Sequence, residues 1–159
     1  MKFRHELKYD AAPEAVYAML GDPAFRESVC EAMECISADV SIEESGDGMS
    51  VTVDQMQNTD DLPSFARTFA GDATQAIQRE EWAGPNGGTL AIEAPGKPTS
   101  MKGTIKLEAA GAGTTEIVEL EIKVKVPLIG GKLEKLMAEK VKAGMDTEHE
   151  VGAAYLKGK

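Results

Sequence analysis

The chain has 159 residues, of which 42% are hydrophobic and 28% are charged, and its formal net charge is −10. This length suits one domain whose core needs no disulfide or metal, and the two cysteines are too few for a disulfide framework. No apolar run reaches the roughly 18 residues of a membrane-spanning helix, and the excess of acids disfavours nucleic-acid binding. We therefore expect one cytoplasmic domain over residues 1–159, with no cofactor and no stable membrane insertion.

The negative charge is concentrated in one segment. Residues 22–61 contain eleven acidic residues and one basic residue, Arg26, so this segment accounts for the whole net charge. A solvated, solubilising surface explains this pattern. The alternative is an acidic surface through which the protein regulates a partner.

The first predicted elements are a strand and two short helices. Residues 2–9 alternate between apolar and charged side chains, as in a half-buried strand. Pro13 begins a short helix, and Gly21 is expected to end it with a left-handed cap. Asp22 then begins the second helix.

Six further strands follow, each predicted by apolar alternation between turn residues. Their predicted ranges are 35–44, 49–57, 75–83, 89–94, 100–109 and 114–126. The tight turns between them, many rich in glycine and proline, indicate antiparallel pairing.

A long amphipathic helix is predicted at the end of the chain. It follows Gly130 and Gly131 and continues to about Leu156, with an apolar stripe along one side. Such a helix is long enough to cover most of the apolar face of the sheet. The sequence therefore predicts an α+β fold, in which a curved antiparallel sheet of about seven strands packs against this helix.

The element order and several segments resemble a known group of proteins. The segments are KFRHELKYDAAPEAVYAML, DPAFRESVCEA, LPSFARTFAG, the GKP turn and VKVPLIGGKLEKLMAEKV. By these segments the chain is identified as a member of an uncharacterised family, best represented in actinobacteria, of the START-like and polyketide-cyclase-like (SRPBCC) superfamily. The resemblance implies the helix-grip fold, with two short helices after the first strand and a cavity between the sheet and the long helix. It implies no functional residue.

Apolar residues of the sheet and helix are expected to line such a cavity. The predicted ligand-binding residues are Val51, Val53, Phe65, Phe69, Trp82, Leu90, Ile92, Met101, Ile105, Leu107, Leu120, Ile122, Val124, Met137, Val141 and Met145. The same periodicity also fits a filled core, because it reports burial and not empty space.

Residues 59–74 interrupt the series of strands. Phe65 and Phe69 have helical spacing there, and Gly71 is placed to cap a short helix. Two interpretations remain open: a mobile lid over one end of the cavity, or a static helix that plugs the open end of the sheet.

No catalytic motif is present, but three residues are candidates for acid–base chemistry. Glu148 shares the helix stripe with Met145, where a carboxylate is either buried with a raised pKa or reaches solvent at the rim. His5 lies on the apolar face of the first strand, and Tyr155 lies further along the helix stripe. The spacing of the two His and two Cys predicts no metal site.

Three functions are compatible with these features. The first is binding or carrying of a hydrophobic or lipid-like small molecule. The alternatives are a cyclase- or dehydratase-type enzyme that uses the same cavity, and a regulatory protein that acts through its acidic 22–61 surface.

Overall fold

In the computed structural model, residues 1–158 are described and form seven strands and four helices. Their bounds are β1 Lys2–Tyr9, α1 Pro13–Leu20, α2 Pro23–Ala32, β2 Ser37–Ser45, β3 Gly48–Asn58, α3 Ser64–Ala70, β4 Ala73–Gly84, β5 Gly87–Glu93, β6 Thr99–Ala110, β7 Gly113–Val124 and α4 Gly130–Lys157. The predicted order of elements is confirmed, and α3 occupies the interruption that the sequence indicated. None of these helices is long and apolar enough to cross a membrane.

All seven strands belong to one curved antiparallel sheet, in the order β1-β7-β6-β5-β4-β3-β2. β1 returns to pair with β7, with His5 opposite Val118, so β1 and β2 are the two edges. Glycine permits close strand contacts: a Cβ on Gly103 would lie 1.7 Å from the main-chain oxygen of Glu119. This arrangement confirms the predicted α+β helix-grip fold.

The turn at Gly21 differs from the prediction of a left-handed cap. Gly21 has φ −91°, and its N–H donates to the carbonyl oxygen of Tyr17. A Cβ there would lie 3.1 Å from the sulfur of Met49, so a side chain at this position would press on Met49. Gly71, after α3, does adopt a left-handed φ of +78°.

The core has a large part and a small part. The large part joins α1, α2 and the later half of α4 to the sheet, and Met19, Leu20 and Phe25 are buried in it. The small part lies at the other end of the sheet, where Ala66 of α3 packs with Val124 and Leu133.

Candidate functional site

A cavity of 670 Å³ lies between the sheet and α4, and residues of both core parts line it. Val53 and Met101 contribute from the sheet, and Met137, Val141 and Met145 contribute from α4. Its wall also contains the polar side chains of Arg26, Gln55, Gln78 and Glu148.

The cavity lies toward one end of the sheet, and this position divides the predicted ligand-binding residues. Eight of them line it: Val53, Phe69, Ile92, Met101, Val124, Met137, Val141 and Met145. The other eight lie outside its wall, seven of them in the buried core: Val51, Phe65, Trp82, Leu90, Ile105, Leu107, Leu120 and Ile122. In β3, β5, β6 and β7 the buried members lie toward one end of the sheet and the cavity-lining member toward the other, and Trp82 of β4 contacts Tyr17 of α1. Alternation distinguishes the two faces of a strand but not its two ends.

A buried ion pair lies beside the cavity. Nη1 and Nη2 of Arg26 donate to the two carboxylate oxygens of Glu80 at 3.0 and 2.9 Å, and its Nε donates to the carbonyl oxygen of Leu20 at 2.8 Å. Trp82 Nε1 and Gln78 Nε2 also donate to Glu80, at 2.8 and 2.6 Å. Burial opposes ionisation of Glu80, but the Arg26 charge and these hydrogen bonds outweigh it and lower the pKa of Glu80.

Two further carboxyl groups and a tyrosine complete this charged cluster, defined as Tyr9, Arg26, Glu80, Glu116 and Glu148. Glu148 Oε1 lies 3.9 Å from Arg26 Nη1, yet burial raises the pKa of Glu148 to about 7. Burial and the charges of Glu148 and Glu80 raise the pKa of Glu116 well above its usual value. The ionised form of Glu80 is therefore favoured, the protonated form of Glu116 is favoured, and Glu148 is partly ionised at neutral pH.

Two buried atoms of the cluster have no hydrogen-bond partner within residues 1–158. They are the Tyr9 hydroxyl oxygen and Glu116 Oε1. Tyr9 is 3% exposed and Glu116 is 1% exposed, so both atoms lie away from the protein surface. Burial and the nearby charges of Glu148 and Glu116 raise the pKa of Tyr9, so its hydroxyl stays protonated and can donate.

Of the three candidates for acid–base chemistry, Glu148 lines the cavity and the other two do not. His5 Nε2 lies 2.7 Å from Asp146 Oδ1, at the surface beside β1. The Tyr155 hydroxyl donates to Asp22 Oδ2 at 2.7 Å. Glu148 alone among them is thus placed to meet a ligand in the cavity.

Four members of the cluster were not among the predicted functional residues: Tyr9, Arg26, Glu80 and Glu116. Glu80 is two residues before the buried Trp82, and Glu116 is two residues before the buried Val118, so each shares its neighbour's face. A charged residue at an inward position of an alternating strand was the available signal. For Arg26 the signal was weaker: the buried Cys30, one helical turn later, lies on the same face of α2.

Comparison with solved structures defines the class of fold. TTHA0849 from Thermus thermophilus shares 22% identity with a TM-score of 0.64, covering 98% of this chain and 99% of that chain. A START superfamily protein from Mycobacterium smegmatis shares 13% identity with a TM-score of 0.59, covering 98% of each chain. Norcoclaurine synthase from Thalictrum flavum, in complex with dopamine and hydroxybenzaldehyde, shares 12% identity with a TM-score of 0.64, covering 100% of this chain and 88% of that chain. At these identities the likeness is one of fold, and that fold is START-like.

The family follows from the sequence itself. Residues 4–156 match the model of the family described as "Protein of unknown function (DUF2505)", so the chain belongs to this family. No curated protein sequence matches the chain.

Proposed function

We propose that this protein binds and carries a hydrophobic or lipid-like small molecule in the cavity between the sheet and α4. The observation that carries the proposal is the cavity itself. Its volume of 670 Å³ lies within the range of roughly 300–1,000 Å³ that is typical of small-molecule sites.

The composition of the wall supports an apolar ligand. Side chains of Val53 and Met101 face those of Met137, Val141 and Met145 across the cavity. Methionine is flexible and polarisable, so these three methionines can adapt to the outline of an apolar molecule. Polar side chains near the charged cluster, among them Gln55, Gln78 and Glu148, can orient one end of such a ligand.

A cavity-filling substitution tests this proposal. Val141 and Val151 are both partly buried valines of α4, but only Val141 of these two lines the cavity. We expect Val141→Phe to weaken binding of the apolar dye Nile Red by roughly tenfold, and Val151→Phe to leave it unchanged. Native mass spectrometry of the wild-type protein purified from cells should also show a bound small molecule. Equal dye binding by both variants, or no dye binding by the wild type, would contradict the proposal.

A cyclase- or dehydratase-type enzyme is the second candidate, and Glu148 favours it. A carboxyl group with a pKa of about 7 in the wall of a cavity suits a general acid or base. The test is to extract the molecule that copurifies, return it to the protein and follow it by mass spectrometry. Conversion by the wild type but not by Glu148→Gln supports an enzyme, whereas an unchanged ligand supports a carrier.

The role of α3 is part of the same proposal, because Ala66, Phe69 and Ala70 line the cavity. A mobile lid should exchange its amide hydrogens faster than β7, and a bound ligand should slow that exchange. Protection of residues 64–70 equal to that of residues 113–124, with or without ligand, would establish a static plug.

A further inference from the structure

We propose that the ligand of this cavity carries a protonated amine, and that the carboxylate of Glu148 binds this group. The inference deepens the proposed function and rests on it, since it names the chemical class of the polar end of the ligand. Four observations lead to it.

The first is the balance of charge in the cluster. Arg26 is its one cation, and both Nη atoms of Arg26 are hydrogen bonded to Glu80. Glu148 lies 3.9 Å from Arg26, beyond hydrogen-bond distance. Glu148 therefore shares the charge of Arg26 with Glu80 and receives no hydrogen bond from the guanidinium.

The second is the shortage of hydrogen-bond donors and acceptors around Glu148. The Tyr9 hydroxyl oxygen and Glu116 Oε1, both buried and without a hydrogen-bond partner in the described part of the chain, interact electrostatically with Glu148. A buried polar group without a partner is costly. An ammonium group brings three donors and one positive charge, so at the cavity wall it can bind the Glu148 carboxylate directly.

The third is that Glu148 can be reached, because it lines the cavity together with Arg26. A ligand whose apolar body lies against Met137, Val141 and Met145 runs along the same helix face toward Glu148. The amine would then meet the carboxylate where the apolar wall ends.

The fourth is the charge of the cavity wall and its surroundings. Two of the three bases in the wall are paired with acids, Arg26 with Glu80 and Lys140 with Asp61, and the third, Lys97, donates to a main-chain oxygen. The acids in the wall are Glu34, Asp60, Asp61, Glu93 and Glu148. Asp61 is paired with Lys140 and Glu93 with Arg79, but acids still outnumber bases in the wall by five to three. The electrostatic field thus favours a cation over a carboxylate or a phosphate.

Protons compete with the amine for Glu148. The groups that face Glu148 are Arg26 from α2, Glu80 from β4, Glu116 from β7 and Tyr9 from β1. The pKa of Glu148 is about 7, and only the ionised carboxylate binds the amine. Amine affinity should therefore increase by up to about tenfold for each unit by which the pH is raised toward 7, and should stay constant above 7. A neutral ligand should show no such rise.

Competition against Nile Red by decylamine, decanol and decanoic acid tests the inference, because these probes differ only in the polar end. At pH 8 we expect decylamine to bind at least roughly tenfold more tightly than either of the others, and to lose this advantage at pH 5. Glu148→Gln should abolish the advantage of the amine and leave decanol binding intact. Glu150→Gln, which changes an exposed acid of the same helix, is the matched control and should behave like the wild type.

The outcomes separate the two proposals. If decanol or decanoic acid equals decylamine at pH 8, the inference is wrong while cavity binding stands. If neither Nile Red nor any of the three probes binds, the proposed function fails. Should Glu148→Gln not fold, the wild-type series at the two pH values decides the question alone.

Discussion

Arg26 shows how far a single side chain can determine the interior of this protein. It is 4% exposed and lies on the ten-residue helix α2, yet it neutralises a carboxylate of the sheet. A buried charge that loses its partner is far more costly than an exposed one, because water cannot replace the partner. The cluster therefore depends on this guanidinium.

We predict that Arg26→Met lowers the free energy of unfolding by about 3–5 kcal/mol, since it leaves Glu80 buried without a counter-charge. The exposed pair of Arg79 and Glu93 provides the control, with each side chain 48% exposed. Arg79→Met should cost less than about 1 kcal/mol. Urea unfolding measures both, and similar costs for the two variants would show that the buried pair has no special role.

The pH dependence of stability is a second consequence at this scale. The pKa of Glu148 rises on folding from 4.5 to about 7, so its contribution is complete below 4.5 and is lost as the pH rises through 7. Between pH 5 and pH 8 this group should lower the free energy of unfolding by about 2–3 kcal/mol. The Glu148→Gln variant should show a correspondingly flatter profile, and Glu150→Gln should retain the wild-type slope.

At the residue scale the sequence predicts which apolar side chains are buried better than it predicts which charged side chains meet in the interior. Alternation in β7 correctly placed Val118 and Ile122 in the interior. It also places Glu116 there, but polarity argued for the surface, because charged side chains are seldom buried unless paired. Glu80 and its partner Arg26 are 54 residues apart, so only the folded chain reveals that they meet.

Helix α4 lines the cavity along one part of its length and packs into the filled core along another. Gly152 lies where α4 crosses the first strand, and a Cβ there would lie 2.9 Å from Tyr9 Cε1 and 3.1 Å from Met19 Cε. At Gly131, in the first turn of the same helix, no atom outside the adjoining helix backbone lies within 4 Å of such a Cβ.

These two glycines give a matched pair of substitutions. Gly152→Ala should lower the free energy of unfolding by about 1–3 kcal/mol, because the added methyl overpacks the contact with Tyr9. Gly131→Ala should leave it unchanged or raise it by up to about 1 kcal/mol, since alanine has the higher helix propensity. Thermal unfolding distinguishes them, and a loss of stability in both would mean that α4 needs glycine for another reason.

At the scale of elements, the sequence predicted the order of the helices and strands and most of their bounds. The starts of β1, α1 and α2 and the turns after β2, β4, β5 and β6 were predicted correctly, because glycine, proline and alternation mark them locally. The strand predicted over 114–126 ends at Val124 in the structure, and the one predicted from residue 35 begins at Ser37. The position of the cavity could not be predicted, because it depends on how α2, α3 and α4 approach one end of the sheet.

The molecule as a whole is asymmetric in charge. Nine of the eleven acids in residues 22–61 are exposed, and the segment's one base, Arg26, is buried, so nothing in the segment offsets them at the surface. On the edge strand β2, Asp39 lies directly opposite Asp54 of β3. Like charges in this arrangement repel, and the repulsion extends over the surrounding acidic surface.

Salt should therefore stabilise this protein. Raising the ionic strength from about 0.01 M to about 0.5 M screens the repulsion and should raise the melting temperature by roughly 2–4 °C. Asp39→Lys should stabilise the protein at low salt and reduce its response to salt, because the pair with Asp54 becomes attractive. A melting temperature that falls with added salt in the wild type would contradict this view of the surface.

The chain contains one tryptophan, Trp82, and its indole N–H donates to Glu80 at 2.8 Å. Its ring also meets Tyr17 edge to face, with centroids 5.5 Å apart. The fluorophore is thus fixed to the same carboxylate that Arg26 neutralises, in a site shielded from water. Emission from unlabelled protein is consequently a direct optical reporter of the buried ion pair, free of signal from any other indole.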